Sequence, residues 1–166
     1  FGPPAKFARH EASKAWSKEF MHAAGIPTAR SDSFMDFDEA FEWTKSRYDA
    51  GRQVAVKASG AALGKGVVVT STLEEAEDAL RAMLVDGSLG AAGNTVVVED
   101  RLDGREFSLL TLVGASGFRS LPVVQDYKRI GDGDVGPNTG GMGSYSPVGW
   151  VSADMVREPA LDQRIA

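Results

Sequence analysis

Two lysines, Lys57 and Lys65, are the residues of this chain best placed to do chemistry, because they flank a loop made almost entirely of small residues. Between them the sequence reads Ala-Ser-Gly-Ala-Ala-Leu-Gly. Backbone N–H groups in such a loop can approach the oxygens of an anion closely, and the two ammonium groups add positive charge. The pattern favours the phosphates of a nucleotide as the ligand.

The spacing of this loop differs from that of a P-loop. A P-loop needs four residues between its glycines and a Ser or Thr directly after its lysine, whereas Gly60 and Gly64 are separated by three residues and Gly66 follows Lys65. The next residues, Val67 to Thr70, favour a strand. We therefore predict a strand, a loop and a second strand, with the loop folding over phosphates as a flap. A surface hairpin with two solvated lysines would have the same pattern.

Composition narrows the classes of partner. The chain has 166 residues, of which 43% are hydrophobic and 25% charged, and its net charge is −5, so we expect an ordinary globular protein without a general nucleic-acid surface. It has no cysteine, and no apolar run approaches the roughly 20 residues of a membrane span. We expect a cytoplasmic protein with no membrane partner.

Both ends of the sequence resemble the interior of a longer polypeptide. The chain starts with Phe1 instead of Met, and no signal peptide follows. Residues 151–166 have helix-like apolar spacing, interrupted by Pro159, and end without a cap. We predict that residues 151–166 begin a helix leading into further chain, and that the remainder of its own polypeptide is a partner of this segment.

The order of predicted elements indicates an α+β fold. Apolar stripes and capping signals predict helices over Ala12–Ala24, after Asp36 and from Thr72. Lys14 and Lys18 lie together on one side of the first helix, where a solvated surface is the default interpretation. Strands are predicted over 53–57, 67–70, 95–99, 106–113 and 118–124. Short hairpins among separate helices favour antiparallel sheets covered by helices on one face.

An acidic segment joins two of these strands. Between Glu99 and Glu106 the chain must turn at Asp103-Gly104, which leaves backbone N–H and C=O groups beside Leu102 available to read the edge of an adenine. Glu106 could accept hydrogen bonds from ribose hydroxyls. An acidic surface turn is the alternative interpretation.

A second glycine-rich segment, residues 125–143, is long for a connection inside a compact domain. Its Asp132-Gly133-Asp134 cannot be an EF-hand loop, because Gly143 stands where a bidentate Glu is needed. Lys128 and Arg129, followed by backbone donors around Asn138, suit an anionic small molecule that carries hydroxyls. We therefore predict a functional loop here, with a flexible linker as the alternative.

Taken together, four segments resemble the ATP-grasp domain of the phosphoribosylamine–glycine ligase family. They are Ser13-Lys14 and residues 57–67, 98–108 and 126–147, in that order along the chain. The run from Lys128 to Pro147 resembles this ligase more than ATP-grasp enzymes in general. The resemblance implies an ATP-grasp fold of two lobes, here incomplete, over residues 1–150, with the nucleotide lobe at about 52–115.

The resemblance also implies an activity and a set of site residues. The family joins glycine to 5-phosphoribosylamine, with ATP and Mg²⁺ as cofactors and a glycyl phosphate as intermediate. Lys57 and Lys65 would act on the transferring phosphoryl group. The residues expected to bind ATP are Lys14, Lys57, Gly64, Lys65, Gly66, Glu99, Asp100, Arg101, Leu102 and Glu106. Those expected to bind the ribonucleotide and glycine are Asp126, Lys128, Arg129, Asn138, Thr139, Gly140, Gly141 and Met142.

Some positions depart from the family pattern. Ser59, Ala61 and Leu63 replace residues common in the flap, and Asp100-Arg101 stand where Glu-Phe is frequent. The family holds Mg²⁺ with a late pair of Glu and Asn that this chain lacks, so we expect the metal ligands outside it. Another ATP-grasp carboxylate–amine ligase, or a non-catalytic nucleotide-binding module, are the alternative functions.

Overall fold

The computed structural model describes residues 2–62, 65–114, 116–133 and 135–156, and the chain divides into two compact units at Asp103/Gly104. This boundary lies inside the range of about 52–115 predicted for a nucleotide lobe. The first unit contains α1 (Ala5–Ala12), α2 (Lys14–Ala23), β1 (Ser31–Phe34), α3 (Phe37–Asp49), β2 (Val54–Ala58), β3 (Val67–Val69), α4 (Leu73–Leu80) and β4 (Val96–Asp100). The second contains β5 (Thr111–Gly114), β6 (Gly117–Ser120), β7 (Gln125–Gly131), β8 (Val135–Tyr145) and α5 (Ala153–Val156).

The first unit is built on a four-stranded sheet in the order β1-β4-β2-β3, in which every neighbouring pair is antiparallel. Successive side chains of a strand point to opposite faces. On one face, Val54, Val56 and Val98 pack with Leu80 of α4 and Ala40 of α3 in the buried core. The predicted α+β fold with antiparallel sheets is therefore confirmed. Helices α3 and α4 cover this apolar face, whereas α2 contacts the opposite one.

Local signals set the starts of the helices. Helix α4 begins with the predicted capping box, in which Thr72 and Glu75 bond each other's backbone N–H groups. Asp36 caps α3 by accepting from the N–H of Glu39. The helix predicted over Ala12–Ala24 is present as α2, but it begins two residues later because Ser13 is extended and caps it; α1, which ends at Ala12, was not predicted.

The second unit consists of two hairpins. Strands β5 and β6 form the predicted hairpin around Gly114 and Gly117, although Ala115 lies outside the described residues. Both strands are shorter than predicted, with only an isolated bridge between Ser108 and Val124 beyond them.

The long loop predicted over residues 125–143 is wrong. This segment forms β7 and β8, an antiparallel pair with two irregularities in register, between Tyr127 and Arg129 and between Arg129 and Gly131. Of the helix predicted over 151–166, only α5 falls within the described residues.

Candidate functional site

The polar face of the four-stranded sheet carries a buried carboxylate between two ammonium groups. Glu99 of β4 is only 8% exposed. Its Oε2 lies 2.6 Å from Nζ of Lys18 on α2, and its Oε1 pairs with Nζ of Lys57 on β2. Lys57 and Glu99 lie on the face opposite the valine core, since the strands alternate. The fold thus gathers three charges at one point.

The charge of Glu99 is stabilised by these lysines. Burial alone would raise the pKa of this carboxyl, but hydrogen bonds from Lys18 and Lys57, together with their charges, hold the pKa below its usual value. Glu99 is consequently ionised at neutral pH and remains the counter-ion of both lysines.

Lys14 adds a third ammonium group beside Lys57. Its Nζ donates to the carbonyl of Gly60 at 3.2 Å, and its backbone N–H donates to the carbonyl of Ser59. Burial lowers the pKa of Lys14 and the nearby charge of Lys57 lowers it further, with Glu11 offsetting part of the shift. The part of this shift that comes from Lys57 reflects repulsion between two neighbouring ammonium groups, which an anionic ligand would relieve.

Ser13 and Ser59 join the start of α2 to the small-residue loop. Their hydroxyl oxygens lie 3.2 Å apart, and the Ser59 hydroxyl also accepts from the backbone N–H of Ala15. The Ser13-Lys14 pair is therefore fixed against the loop that follows Lys57, although the two segments are far apart in the sequence.

The small residues of the loop serve close packing. A Cβ at Gly60 would lie 2.7 Å from Cα of Ala92, and one at Gly66 would lie 2.7 Å from Cβ of Ala62. The N–H of Gly60 is already bonded to the carbonyl of Ala92. That N–H is therefore not available to a phosphate, contrary to the expectation from the sequence. At Gly60 and Gly66 the absence of a side chain is needed for close packing.

The end of the loop that leads into β3 is described only from Lys65 onward. Lys65 is exposed, and its backbone N–H donates to the carbonyl of Ala62. Gly64, which the sequence assigns to phosphate binding, lies outside the described residues.

The segment after Glu99 is held by two sets of contacts. The N–H of Asp100 donates to the carbonyl of Arg30, and that of Arg101 donates to the carbonyl of Gln53, both at 2.8 Å. The expectation of several free N–H groups here was therefore wrong for these two residues, because sheet-like bonds occupy them. Leu102, which is 75% exposed, is the next residue whose backbone could read a base.

Arg47 of α3 holds Asp100 through its side chain. Its Nε and Nη2 donate to the two carboxylate oxygens of Asp100 at 2.7 Å each, and this hydrogen bonding raises the pKa of Arg47. Such a bidentate pair fixes orientation as well as charge. It fixes the end of β4 to helix α3.

In the second unit, Glu106 and Lys128 form an ion pair. Nζ of Lys128 lies 3.2 Å from Oε2 of Glu106 and 3.6 Å from Oδ2 of Asp126. Burial would lower the pKa of Lys128, but Glu106 and Asp126 raise it above its usual value. Glu106 was assigned to ribose and the other two to the substrate side, so the structure brings together residues with different predicted partners.

Most of the remaining predicted substrate residues lie on β7 and β8. Arg129 is paired in register with Asn138, and Thr139 donates to the carbonyl of Lys128 at 2.8 Å. Gly141 donates its N–H to the hydroxyl of Thr139, and Gly140 is exposed. Arg129 and Met142 both line an open pocket in this hairpin.

Two features are absent from the described residues. None of their His, Asp and Glu side chains come together in a group of three that could hold a metal ion. No helix in the described ranges has the length and apolar character required to cross a membrane.

Comparison with known proteins identifies the family. The phosphoribosylglycinamide synthetase ATP-grasp (A) domain matches residues 12–163. The chain belongs to this family. Over 93% of its length this ATP-grasp domain is 45% identical to phosphoribosylamine–glycine ligase from Pseudomonas syringae pv. tomato, of which it covers 35%. It thus spans little more than a third of that relative.

Solved structures agree with the family assignment. Phosphoribosylamine–glycine ligase from Thermotoga maritima superimposes on 99% of this ATP-grasp domain with a TM-score of 0.87 and 36% identity, and 42% of that chain is covered. D-alanyl-alanine synthetase A from Vibrio cholerae matches 94% of the domain, and 47% of its own chain, with a TM-score of 0.66 and 13% identity, which shows the shared fold alone. The predicted ATP-grasp fold and family resemblance are confirmed.

Sequence reasoning missed two side chains of the ATP-grasp domain that contact predicted site residues. Lys18 was assigned to a solvated helix surface, yet its side chain is 13% exposed and paired with Glu99. Arg47 was not singled out. The available signal for Lys18 was its position one helical turn after Lys14. No local pattern indicates that its partner is Glu99, which is far away in the sequence.

Proposed function

We propose that this ATP-grasp domain binds ATP and forms part of the active site of a ligase that joins glycine to 5-phosphoribosylamine. The glycine carboxylate would attack the γ-phosphorus of ATP and release ADP. The amine of the ribosylamine would then attack the glycyl phosphate, lose a proton and release phosphate, giving glycinamide ribonucleotide. The names of the relatives and the matched family support this reaction.

The excess of positive charge at Lys14 and Lys57 is the observation that carries the proposal. Lys18 and Lys57 share the carboxylate of Glu99, and Lys14, whose nearby carboxylate is Glu11, acts on Lys57 through its charge. A triphosphate would supply the missing negative charge. In phosphoryl transfer the protein contributes chiefly positioning and electrostatic stabilisation, which ammonium groups provide without acting as nucleophiles.

The proposed roles follow the positions of the residues. Lys14 and Lys57 would neutralise phosphates, and Lys65 would add its charge from the loop, with Gly64 and Gly66 on either side of it in the sequence as part of the ATP site. In Glu99–Leu102, the backbone at Leu102 would read the adenine edge, and Glu106 would accept from ribose after leaving Lys128. Asp126, Lys128, Arg129 and the backbone from Asn138 to Met142 would contact the ribonucleotide and glycine.

Mg²⁺ and a cytoplasmic location belong to the same proposal. When bound, Mg²⁺ would neutralise charge on the transferring phosphoryl group. The described residues offer no complete set of ligands for it, so none of the roles assigned above depends on the metal.

Activity of the complete polypeptide that carries this domain tests the reaction. We expect continued ADP release from ATP, over many turnovers, to require both glycine and 5-phosphoribosylamine. Release that requires a different carboxylate or amine would indicate another ATP-grasp ligase. ATP binding without ADP release under any of these conditions would indicate a non-catalytic nucleotide-binding module.

A matched pair of variants tests the proposed phosphate site. Lys57→Met keeps the apolar stem and removes the ammonium group, so we expect the Kd for ATP to rise about thirtyfold, as for a lost charge-assisted contact. Lys45→Met removes an exposed ammonium group from α3 and should leave the Kd unchanged. Equal affinities of the two variants, measured by isothermal titration calorimetry, would contradict the assignment of Lys57.

A further inference from the structure

The ammonium group of Lys18 has more hydrogen-bond acceptors around it than a solvated lysine on a helix surface. Its Nζ lies 2.6 Å from the Thr28 hydroxyl, 2.6 Å from Oε2 of Glu99 and 3.3 Å from the carbonyl of Ala29. An ammonium group has three donors, so these three acceptors use all of them. Lys18 is thus a fixed cation, held by α2, by the segment before β1 and by β4.

Lys57 differs from Lys18 in how it is held. Within the described ranges Glu99 is the side chain that Lys57 pairs with, and 28% of the Lys57 side chain is exposed, compared with 13% for Lys18. The two lysines divide the carboxylate of Glu99 between them, one on each oxygen. Lys57 therefore retains donors that could turn to an incoming anion, whereas Lys18 does not.

We propose that Lys18 is a positioning residue that sets the affinity for ATP, because by holding Oε2 of Glu99 it leaves Lys57 only partly neutralised and able to contact phosphate. This inference rests on the proposed ATP-binding function. Lys18 itself touches no phosphate in this account, since its donors are already used.

Removing Lys18 should change the site in two ways. Glu99 would keep its buried charge and have Lys57 as its remaining ammonium partner, so the Glu99–Lys57 pair would tighten and hold Lys57 away from phosphate. The cluster would also lose one positive charge, which weakens its attraction for a polyanion. The first effect acts through the charge of Glu99 and disappears when Glu99 is neutral, whereas the loss of long-range charge remains.

A double-mutant cycle in the complete polypeptide isolates this coupling. We expect Lys18→Met to raise the Kd for ATP about tenfold when Glu99 is present, and less than about twofold in the Glu99→Gln background, which corresponds to a coupling within the range found for contacting residues. Lys18→Arg, which keeps the charge, should recover part of the affinity. Lys45→Met is the control for loss of an exposed lysine.

Three results would each overturn the inference. The first is unchanged ATP affinity in Lys18→Met. The second is an equal loss in both Glu99 backgrounds, which would mean that Lys18 acts independently of Glu99. The third is an increase in the KM for glycine as large as the increase in the KM for ATP, which would indicate general damage to the fold. Circular dichroism melting of each variant checks for such damage. If the unmodified polypeptide does not bind ATP, the proposed function is overturned and this inference with it.

Discussion

The two faces of the four-stranded sheet use the same strands for different purposes. On the apolar face, Val54, Val56, Val96 and Val98 are fully buried under α3 and α4. On the polar face, the alternate positions of β2 and β4 include Lys57 and Glu99, which α2 meets with Lys18. The difference shows that strand alternation places the residues of the apolar core on one face and the charged pair of Lys57 and Glu99 on the other. Changes on one face should therefore affect stability, and changes on the other should affect binding.

The largest effect should come from the apolar face. Leu80 of α4 is fully buried in the core, so Leu80→Ala should lower the free energy of unfolding by about 3 kcal/mol through lost burial and a cavity. Denaturant titration measures this loss. The Kd for ATP of the folded variant should stay unchanged, because no atom of Leu80 belongs to the charged cluster.

Met35 provides the control for Leu80→Ala, because it is an apolar side chain that is exposed instead of buried. It is 76% exposed, and Met35→Ala should change the free energy of unfolding by less than about 0.5 kcal/mol. A clear loss of ATP affinity in folded Leu80→Ala would show that the two faces are not separate.

Glu99→Gln, although it lies on the polar face, should also lower the free energy of unfolding, because it removes a buried charge that contributes to stability. At pH 7 we expect the free energy of unfolding to fall by about 2 kcal/mol, because two ammonium groups lose their shared counter-ion. The pKa of Glu99 is lowered in the folded state, so its contribution is complete above the ordinary glutamate pKa and is lost as pH falls through the lowered value.

The difference between Glu99→Gln and the unmodified protein should consequently narrow as pH falls below the ordinary glutamate pKa. Glu42→Gln, at an exposed position of α3, is the control and should show little difference at any pH. A gap for Glu99→Gln that stays constant from neutral to acid pH would contradict the proposed role of the carboxylate charge.

The first unit could be predicted well where local sequence alone decides structure. Runs of valine gave β2, β3 and β4, and the pattern Thr72 to Glu75 gave the capping box of α4. The resemblance gave the ATP-grasp fold, because several motifs occur in the right order. The strand and capping signals each lie within a few residues of one another, whereas the motifs of the resemblance are spread over most of the chain and are recognised by their order.

The remaining features depend on partners far along the chain. β1, with the sequence Ser-Asp-Ser-Phe, has little strand propensity of its own and is a strand because it pairs with β4. Of the glycines that suggested a loop over residues 125–143, four lie in β8, and three of those have positive φ in a hairpin whose register is irregular. The place of Lys18 in the charged cluster depends on its ion pair with Glu99, and neither residue type nor spacing in the sequence indicates that pair.

The smallest effect should be a change in the reactivity of Lys14. Burial and the charge of Lys57 lower the pKa of Lys14, so a larger fraction of its amine is neutral at mildly alkaline pH and available for acetylation. Lys57→Met removes one of these two causes, and the pKa of Lys14 should then rise toward its ordinary value. Acetic anhydride labelling followed by mass spectrometry should show slower modification of Lys14 in that variant, with Lys45 as the internal standard. Faster labelling of Lys14 would mean that Lys57 shields this amine more than it acts on it through charge, and would contradict the cluster's proposed excess of positive charge.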